Sequence, residues 1–422
     1  MHERERERSR EGRPQPSRRE LLGRRSPSLY GLADRLVFRH VGPELAHKLA
    51  LFGLSARFAV HTEAVNDAWS WRGLTFRNRV GVAAGFDKNA WALSGLAEIG
   101  AGFAEIGTIL SRPWPGNLLR PRMARLESTR GIWNRLGFPS IGARRVAGRL
   151  ARLRRHDVVF GCNIAPHPLT IRAAGEPGFG ARVYRELEHV VERLHPWTAF
   201  FVVNMSSPNT SGLRGVLYGD AFAQEIVAPL RARIHELSKA RGSAHPIPLL
   251  VKLPPEDADR EPWTAHSLRP LAGPLAHDDV CDGFVAVNTS IGLALKQAPQ
   301  ARPDAPGGVS GAPLLPLALG AMRALSEIAL PHQLRIGVGG ITRPEDAVAM
   351  VQAGANLVEL YSGMIYQGPL LIGACADALR EHAELTEHGL PPREDRPYLR
   401  GASARVEPDG DLAERVAPGR AK

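Results

Sequence analysis

The sequence has few cysteines and no long apolar run, and these two absences narrow the class of protein. Cys162, Cys281 and Cys375 are far apart and form no C-x-x-C pair, which argues against a disulfide framework or a zinc site. We therefore expect reduced, buried thiols and no metal centre. No run approaches about 18 apolar residues, so no transmembrane helix is predicted. The N-terminus also lacks the apolar segment of a secretory signal.

The formal net charge of +11 is carried in part by arginines close to the N-terminus. An arginine-rich arm can be attracted to nucleic acid or to anionic lipid. In residues 1–28, however, glutamates alternate with the arginines, which favours a solvated disordered arm and argues against a mitochondrial transit peptide. Residues 390–422 have little periodicity and are predicted to be a disordered tail. We therefore expect no nucleic-acid partner.

Eight short apolar runs lie between these two ends. They are Val80–Ala84, Phe103–Gly107, Val158–Asn163, Phe200–Asn204, Leu249–Leu253, Phe284–Asn288, Leu334–Val338 and Leu357–Tyr361. Runs without polar alternation are typical of parallel strands that are buried on both faces. Most gaps carry helical patterns, namely Ala90–Ile99, Tyr184–Leu194, Ala221–Leu237, Leu317–Ile328, Pro344–Gln352 and Leu370–Glu381. The sequence thus predicts an α/β fold, a (β/α)8 TIM barrel over residues 73–389, with a doubly wound open sheet as the alternative.

Residues 29–72 precede the predicted barrel and carry two short amphipathic patterns. Apolar residues repeat at helical spacing in each of them, first Leu29, Leu32 and Leu36, then Leu45, Leu49 and Phe52. A small helical extension of this kind can rest on a membrane surface. It can equally cap the barrel, and spacing alone leaves both interpretations open.

Polar residues or glycines stand at the end of nearly every predicted strand. In chain order they are Lys88, Thr108, Asn163, Asn204, Lys252, Asn288, Gly339 with Gly340, and Tyr361 with Ser362. Barrel active sites are built from the carboxyl ends of several strands, so these residues are expected at one site. The lysines are costly there unless they meet an anion or a cofactor.

Three further segments suggest chemistry at that site. The strand that ends at Asn204 continues into Ser206-Ser207-Pro208-Asn209, whose amides and hydroxyls suit a planar, hydrogen-bonding substrate and a proton transfer. Gly337-Val338-Gly339-Gly340 precedes a helix and, with Gly311 and Ser362, suggests a phosphate site. Asn134-Arg135-Leu136-Gly137-Phe138 is predicted to lie in a long loop, which is a frequent form of active-site lid.

These segments occur in the order typical of one enzyme family. The matching motifs are Ala83-Ala84-Gly85-Phe86-Asp87-Lys88, Asn134 to Phe138, Asn204 to Gly212, Asn288-Thr289, Gly339-Gly340 and Tyr361-Ser362. Over about residues 29 to 388 the chain resembles the membrane-associated, quinone-dependent (class 2) dihydroorotate dehydrogenases. Its Pro43-Glu44-Leu45-Ala46-His47 segment is similar to the N-terminal helical extension of that family.

The resemblance implies oxidation of dihydroorotate to orotate in pyrimidine biosynthesis, with a role for each matching residue. FMN would be held by Ala84, Gly85, Lys88, Thr108, Asn163, Asn204, Lys252, Val287, Gly311, Gly340, Tyr361 and Ser362. The substrate would be bound by Lys88, Asn134, Arg135, Leu136, Gly137, Phe138, Asn204, Asn209, Asn288 and Thr289. Ser207 would be the general base that takes the C5 proton while hydride passes from C6 to the flavin, and Thr210 would help to relay the proton.

The resemblance also implies a second electron acceptor. The soluble relatives have cysteine at the position of Ser207, so this serine and the N-terminal extension both favour the quinone-linked branch. A quinone would enter between the N-terminal helices. The protein would then be a monomer in peripheral contact with the cytoplasmic face of the cell membrane.

The sequence departs from the family pattern in four places, which we expect around the flavin rim. They are Ile164-Ala165-Pro166-His167 after Asn163, Val287 in place of threonine, Leu253-Pro254-Pro255-Glu256 after Lys252, and Ile109-Leu110-Ser111. The loss of threonine at position 287 would remove a hydrogen bond to the flavin. Two alternatives therefore stay open: a paralogous FMN oxidoreductase for another small cyclic substrate, and a catalytically silent barrel that serves as a membrane-associated binding module.

Overall fold

The computed structural model describes Asp34, Gly215 and residues 40–56, 65–153, 158–209 and 220–387. The predicted arm, residues 1–28, and the predicted tail, residues 390–422, lie outside the described residues. So do the first leucine repeat of the extension and Thr210.

Eight strands form a closed barrel in which every neighbouring pair is parallel. In chain order they are β1 (Val80–Val82), β2 (Phe103–Ile109), β3 (Val159–Ile164), β4 (Phe200–Asn204), β5 (Leu249–Leu253), β6 (Gly283–Ala286), β7 (Leu334–Val338) and β8 (Leu357–Leu360). Each coincides with one predicted run, and β8 closes against β1. The predicted TIM barrel is confirmed, and the open sheet is excluded.

Alternate residues of these strands fill the barrel interior. The amino-terminal half is apolar and includes Phe103, Phe200 and Leu334, none of them more than 1% exposed. The intervening residues pack outward against the helices in a second, larger apolar cluster. Burial on both faces removes the polar alternation that a half-exposed strand would show. The three cysteines are buried and free, as predicted.

Helices cover the outside of the barrel. They span Leu93–Glu98, Ala143–Leu150, Pro168–Ile171, Phe179–Leu194, Asp220–Phe222, Ala228–Ala240, Ala265–Ala272, Ile291–Gln297, Leu315–Ser326, Pro344–Gln352, Ser362–Gln367 and Leu370–Glu387. A π-helical stretch, Ala223–Val227, joins two of them. All six helical patterns of the sequence are found, with ends shifted by a few residues. Pro344 begins its helix, where its missing N–H costs nothing.

Two small antiparallel sheets lie outside the barrel. Trp69–Trp71 and Leu74–Phe76 form a hairpin, and Phe76 packs edge-on against Phe103 with ring centroids 5.5 Å apart. The second, called the flanking sheet below, joins Met123–Leu126, Gly131–Asn134 and Gly308–Gly311. The prediction that Asn134 to Phe138 lie in a long loop is therefore wrong at its first residue, because Asn134 is the last residue of the middle strand of this sheet.

The second predicted amphipathic pattern forms the N-terminal helix, Pro43–Ser55. Glu44 fixes it to the segment that leads into the flanking sheet, by accepting hydrogen bonds from Arg122 Nε and Nη2 at 3.0 and 2.6 Å. Leu45, Leu49 and Phe52 remain 50%, 41% and 65% exposed on its outer side. The helix thus caps the barrel and still presents an apolar stripe. Within the described ranges, no helix has the length and apolar character needed to cross a membrane.

Candidate active site

A cavity of about 1080 Å³, a volume that includes the open solvent at its mouth, lies at the carboxyl ends of the strands. Among the described residues, every one predicted for catalysis, substrate or cofactor lines this central cavity, except Arg135 and Asn163. Arg135 is 8% exposed and donates from Nη2 to the carbonyl of Leu119 at 3.3 Å. Asn163 is fully buried behind Thr108, from whose hydroxyl it accepts a hydrogen bond at 2.6 Å. Asn163 therefore supports lining residues and is not one itself.

Asn204, at the end of β4, joins the residues of four strand ends. Its Nδ2 donates to Thr108 Oγ1 at 3.3 Å and to Asn163 Oδ1 at 3.2 Å. Its Oδ1 accepts from Asn288 Nδ2 at 3.2 Å, and Asn288 also donates to Ser206 Oγ at 3.0 Å. Such a network fixes the orientation of each amide, because every rotation would break more than one bond. The amides are thus held ready for a substrate with defined carbonyl and N–H edges.

Ser207 lies just past this strand and is 5% exposed. Its Oγ accepts a hydrogen bond from the backbone N–H of Asn209 at 3.2 Å, which fixes the hydroxyl beside the cavity. The Asn209 Nδ2 donates to Asn134 Oδ1 at 2.9 Å, and its own Oδ1 is a buried acceptor without a partner among the described residues. A buried acceptor is stabilised when a ligand donates to it. The loop after β4 and the flanking sheet therefore meet at a polar site beside the serine.

Lys88 brings positive charge to the cavity from the loop after β1. Asp87 holds that loop by accepting hydrogen bonds from the backbone N–H groups of Asn89, Trp91 and Ala92 at 3.2, 2.9 and 2.7 Å. Lys88 Nζ donates to the carbonyl of Gly85. Burial lowers the pKa of Lys88 to about 8, partly offset by Asp87. Lys88 is thus a cation at neutral pH that an anionic substrate would stabilise.

Two buried carboxyl groups, Glu105 and Glu359, were not predicted as site residues. Glu105, on β2, accepts from Lys252 Nζ at 3.3 Å and from Asn163 Nδ2. Glu359, on β8, lines the cavity itself. Both are 1% exposed and lie inside apolar runs. An acidic residue in a strand buried on both faces is costly, and this signal in the sequence could have identified them.

Glycines shape the opposite corner of the cavity. Gly340 has φ +80°, and a Cβ there would lie 2.3 Å from the backbone nitrogen of Leu315. Gly311 has φ +90°, and its Cβ would lie 2.3 Å from the carbonyl oxygen of Arg130. The adjacent hydroxyls of Ser310 and Ser362 are 2.9 Å apart. Only glycine fits these two backbone positions. A bound group could therefore come close to the backbone in this corner and also meet two hydroxyls.

A smaller side pocket of about 480 Å³ separates the N-terminal helix from the flanking sheet. It shares Met123, Ile132 and Tyr361 with the central cavity. His47 also lines it, with Nε2 2.8 Å from the carbonyl oxygen of Phe86. Burial lowers the pKa of His47 to about 3, so the ring is neutral and donates this hydrogen bond. The pocket is mainly apolar and adjoins the central cavity at Tyr361.

Of the four departures from the family pattern, only Val287 lines the cavity. Ser111 and His167 instead meet at Glu186, which accepts from Ser111 Oγ at 2.8 Å and from the His167 N–H at 2.9 Å. Glu256 accepts from Ser290 Oγ and from two backbone N–H groups at the start of the helix Ile291–Gln297, at 2.6, 2.7 and 3.0 Å. Glu256 therefore fixes the loop that carries Asn288 and Thr289.

A family profile and similar proteins of known name all indicate the same family. The sequence profile described as dihydroorotate dehydrogenase matches residues 68–382. A protein named dihydroorotate dehydrogenase (quinone) from Azotobacter vinelandii is 36% identical over 364 residues, covering 83% of this chain and 96% of that protein. One of the same name from Xanthomonas campestris is 36% identical over 371 residues, covering 86% and 99%.

The solved structures agree. A crystal structure of DHODH from Eimeria tenella in complex with ferulenol has a TM-score of 0.70 and 29% identity, covering 82% of this chain and 93% of that one. A ligand-free structure of DHODH from the same organism has a TM-score of 0.68 and 30% identity, covering 83% and 96%. With its profile match over well over half of its length and relatives aligned almost from end to end, the chain belongs to the dihydroorotate dehydrogenase family.

Proposed function

We propose that this protein oxidises dihydroorotate to orotate in pyrimidine biosynthesis, with FMN as hydride acceptor and a quinone as final electron acceptor. The observation that carries the proposal is the convergence of Ser207, the four amides Asn134, Asn204, Asn209 and Asn288, and Lys88 on one cavity. Amides read the carbonyl and N–H edges of a planar ring and reject compounds that lack those groups. The Lys88 ammonium suits the carboxylate of the substrate.

In this proposal Ser207 takes the C5 proton of the substrate. A serine hydroxyl is a weak base and needs a positive setting and a path for the proton. Lys88 supplies positive charge in the same cavity, and the N–H of Asn209 fixes the hydroxyl oxygen in place. When bound, FMN would accept the hydride that leaves C6. The role of the chain is thus to orient the ring, to stabilise its negative charge and to remove one proton.

The residues of the cavity fit FMN at two separate places. The corner formed by Gly311, Gly340, Ser310 and Ser362 offers close backbone approach and hydroxyl donors, as a phosphate requires. Lys252 lines the cavity and offers an ammonium to an electron-rich ring atom. Gly311, Gly340, Ser310 and Ser362 would therefore hold the phosphate of FMN, and Lys252 would bind its ring.

The side pocket supports a place for the quinone. It lies between the N-terminal helix and the flanking sheet, and Tyr361 separates it from the central cavity. The exposed stripe of Leu45, Leu49 and Phe52 suits contact with a lipid surface, where quinones dissolve. We infer peripheral attachment to the cytoplasmic face of the membrane, with the side pocket opening towards the lipid.

Anaerobic spectroscopy of the purified protein tests the proposal. The flavin absorption should bleach on addition of dihydroorotate and return on addition of a quinone. Ser207→Ala should slow the bleaching by about 10²- to 10⁴-fold, the usual contribution of a general base. Ser207→Cys is the matched control, because a thiol of similar size can also take a proton, and it should keep more activity than the alanine variant.

The alternatives give different results in the same assay. A bound flavin that dihydroorotate does not bleach would indicate a paralogue for another cyclic substrate. A protein without flavin, in which Ser207→Ala has no consequence, would indicate a silent binding module. Growth rescue of a strain that lacks dihydroorotate oxidation provides an independent check in the cell.

A further inference from the structure

Glu359 has an unusual environment for a carboxyl group. It lies on β8, lines the central cavity and is 1% exposed. Neither of its oxygens receives a hydrogen bond from an N–H or O–H group of the described residues, and its one side-chain hydrogen bond is with the carboxyl group of Glu105. Taking an unpaired carboxyl group out of water costs free energy, which a ligand in the cavity can offset by pairing with it.

The charges around Glu359 decide its state. Glu105 uses one oxygen for Asn163 and the other for Lys252, so the ammonium of Lys252 is already paired. Burial and the neighbouring Glu105 raise the pKa of Glu359 well above its ordinary value, and Lys252 offsets only part of this. On the neighbouring strands β7 and β1, the residues level with Glu359 are Val338 and Gly81, and neither carries a charge. Burial and the neighbouring carboxyl thus favour its protonated form, which has a proton to donate.

The topology places Glu359 on the side of the cavity where the cofactor residues lie. It lies on β8, which leads directly to Tyr361 and Ser362, and the neighbouring strand β7 leads to Gly340. The residues proposed for the substrate come mainly from the loops after β4 and β6 and from the flanking sheet. Glu359 is thus among the groups that would meet the flavin.

We propose that Glu359 donates a hydrogen bond, as a neutral carboxylic acid, to an acceptor atom of the flavin ring, beside Lys252. The inference rests on the proposed function, since it takes FMN as the occupant of the cavity. A ring nitrogen or carbonyl oxygen of the flavin accepts such a bond. The acid and the ammonium would then hold the ring from two neighbouring points, and ionisation of Glu359 would remove a donor and add negative charge next to an anionic cofactor.

The dissociation constant of FMN provides a test that does not depend on turnover. It is measured by quenching of flavin fluorescence with the flavin-free full-length protein, for wild type, Glu359→Gln and Glu359→Leu. Glutamine keeps a neutral donor and should bind FMN within about threefold of wild type. Leucine has no donor and should bind about tenfold more weakly, which corresponds to about 1.4 kcal/mol. The unfolding temperature of flavin-free Glu359→Leu should be equal to or above that of wild type, because an unpaired buried acid is removed.

A pH series separates Glu359 from the other titrating groups. Glu359 is neutral below its raised pKa and ionised above it, so the FMN dissociation constant of wild type should rise as the pH passes upward through that pKa. Lys88 also titrates in this cavity, at about pH 8, and Tyr361 is a further ionisable group there. Both remain in Glu359→Gln, so the difference between the two profiles belongs to Glu359.

Three results would overturn the inference while leaving the proposed function intact. One is wild-type affinity for FMN in Glu359→Leu. The second is equal weakening in the glutamine and leucine variants, and the third is a loss of affinity matched by a loss of stability in the flavin-free protein. If wild type itself fails to bind FMN, both the proposed function and the inference are wrong.

Discussion

Replacement of Glu256 by alanine should loosen the loop that carries two substrate residues. Glu256 is 1% exposed and accepts hydrogen bonds from Ser290 Oγ and from the N–H groups of Ile291 and Gly292. The Ser290 hydroxyl can turn to another acceptor, but the two N–H groups lose their partner. Each buried N–H group without a partner costs about 1–3 kcal/mol, and water that enters the space left by the side chain lowers the total cost. We expect a loss of about 3 kcal/mol in the free energy of unfolding.

Two measurements test the effect of Glu256→Ala. Urea unfolding should show the lower stability, and steady-state kinetics should show a higher KM for dihydroorotate, because Asn288 and Thr289 directly precede the released segment. Glu256→Gln is the control, since its carbonyl oxygen can still accept from both N–H groups. The charge is lost and the Ser290 hydroxyl must turn to accept from the new amide NH2, for which we expect about 1 kcal/mol. An alanine variant within about 0.5 kcal/mol of wild type, the usual range of surface substitutions, would refute the reasoning.

Three other substitutions or profiles test separate parts of the structure. The kcat/KM for dihydroorotate should fall as the pH rises through about 8, because burial lowers the pKa of Lys88 to about 8 and its ammonium is present only below that value; a profile without an inflection there would contradict this role. Phe52→Asp should weaken binding to anionic lipid vesicles and slow reoxidation by quinone while leaving bleaching by dihydroorotate unchanged, whereas Leu169→Asp, at another exposed apolar residue, should alter neither. Gly95→Ala should destabilise the protein by about 1–3 kcal/mol in thermal unfolding, because its Cβ would lie 2.2 Å from a backbone oxygen of the N-terminal helix. Gly148→Ala, on an open helix surface, should instead be neutral or stabilising by about 0.5–1 kcal/mol.

The barrel was predictable because its strands are buried on both faces. A run such as Phe200–Asn204 has no polar alternation and ends at a functional amide, and the parallel arrangement places all such ends together. The flanking sheet was not predictable in the same way. Gly131–Asn134 and Gly308–Gly311 are short and contain glycine, and Gly308–Gly311 becomes a strand only by pairing across a long separation in sequence.

The site was predictable for residues at strand ends and less so for those inside strands. Lys88 and Asn288 stand out because they interrupt apolar patterns at the places where barrel sites form. Glu105 and Glu359 lie within such patterns, and their meaning depends on which residues share the barrel interior with them. Local sequence does not contain that information, because the three groups Glu105, Lys252 and Glu359 come from three different strands.

The flanking sheet also has a consequence for the order in which the protein assembles. Trp133 Nε1 donates to the carbonyl of Pro306 at 2.8 Å, across a separation of 173 residues. Closing a loop of this length has an entropic cost that only the later contacts can offset, and pairing between such distant segments is slow. During synthesis, residues 131–134 can pair with Met123–Leu126 early, but their second partner, Gly308–Gly311, emerges much later. The flanking sheet is therefore completed late, so a partly folded chain would have the strand-end amides without a complete site.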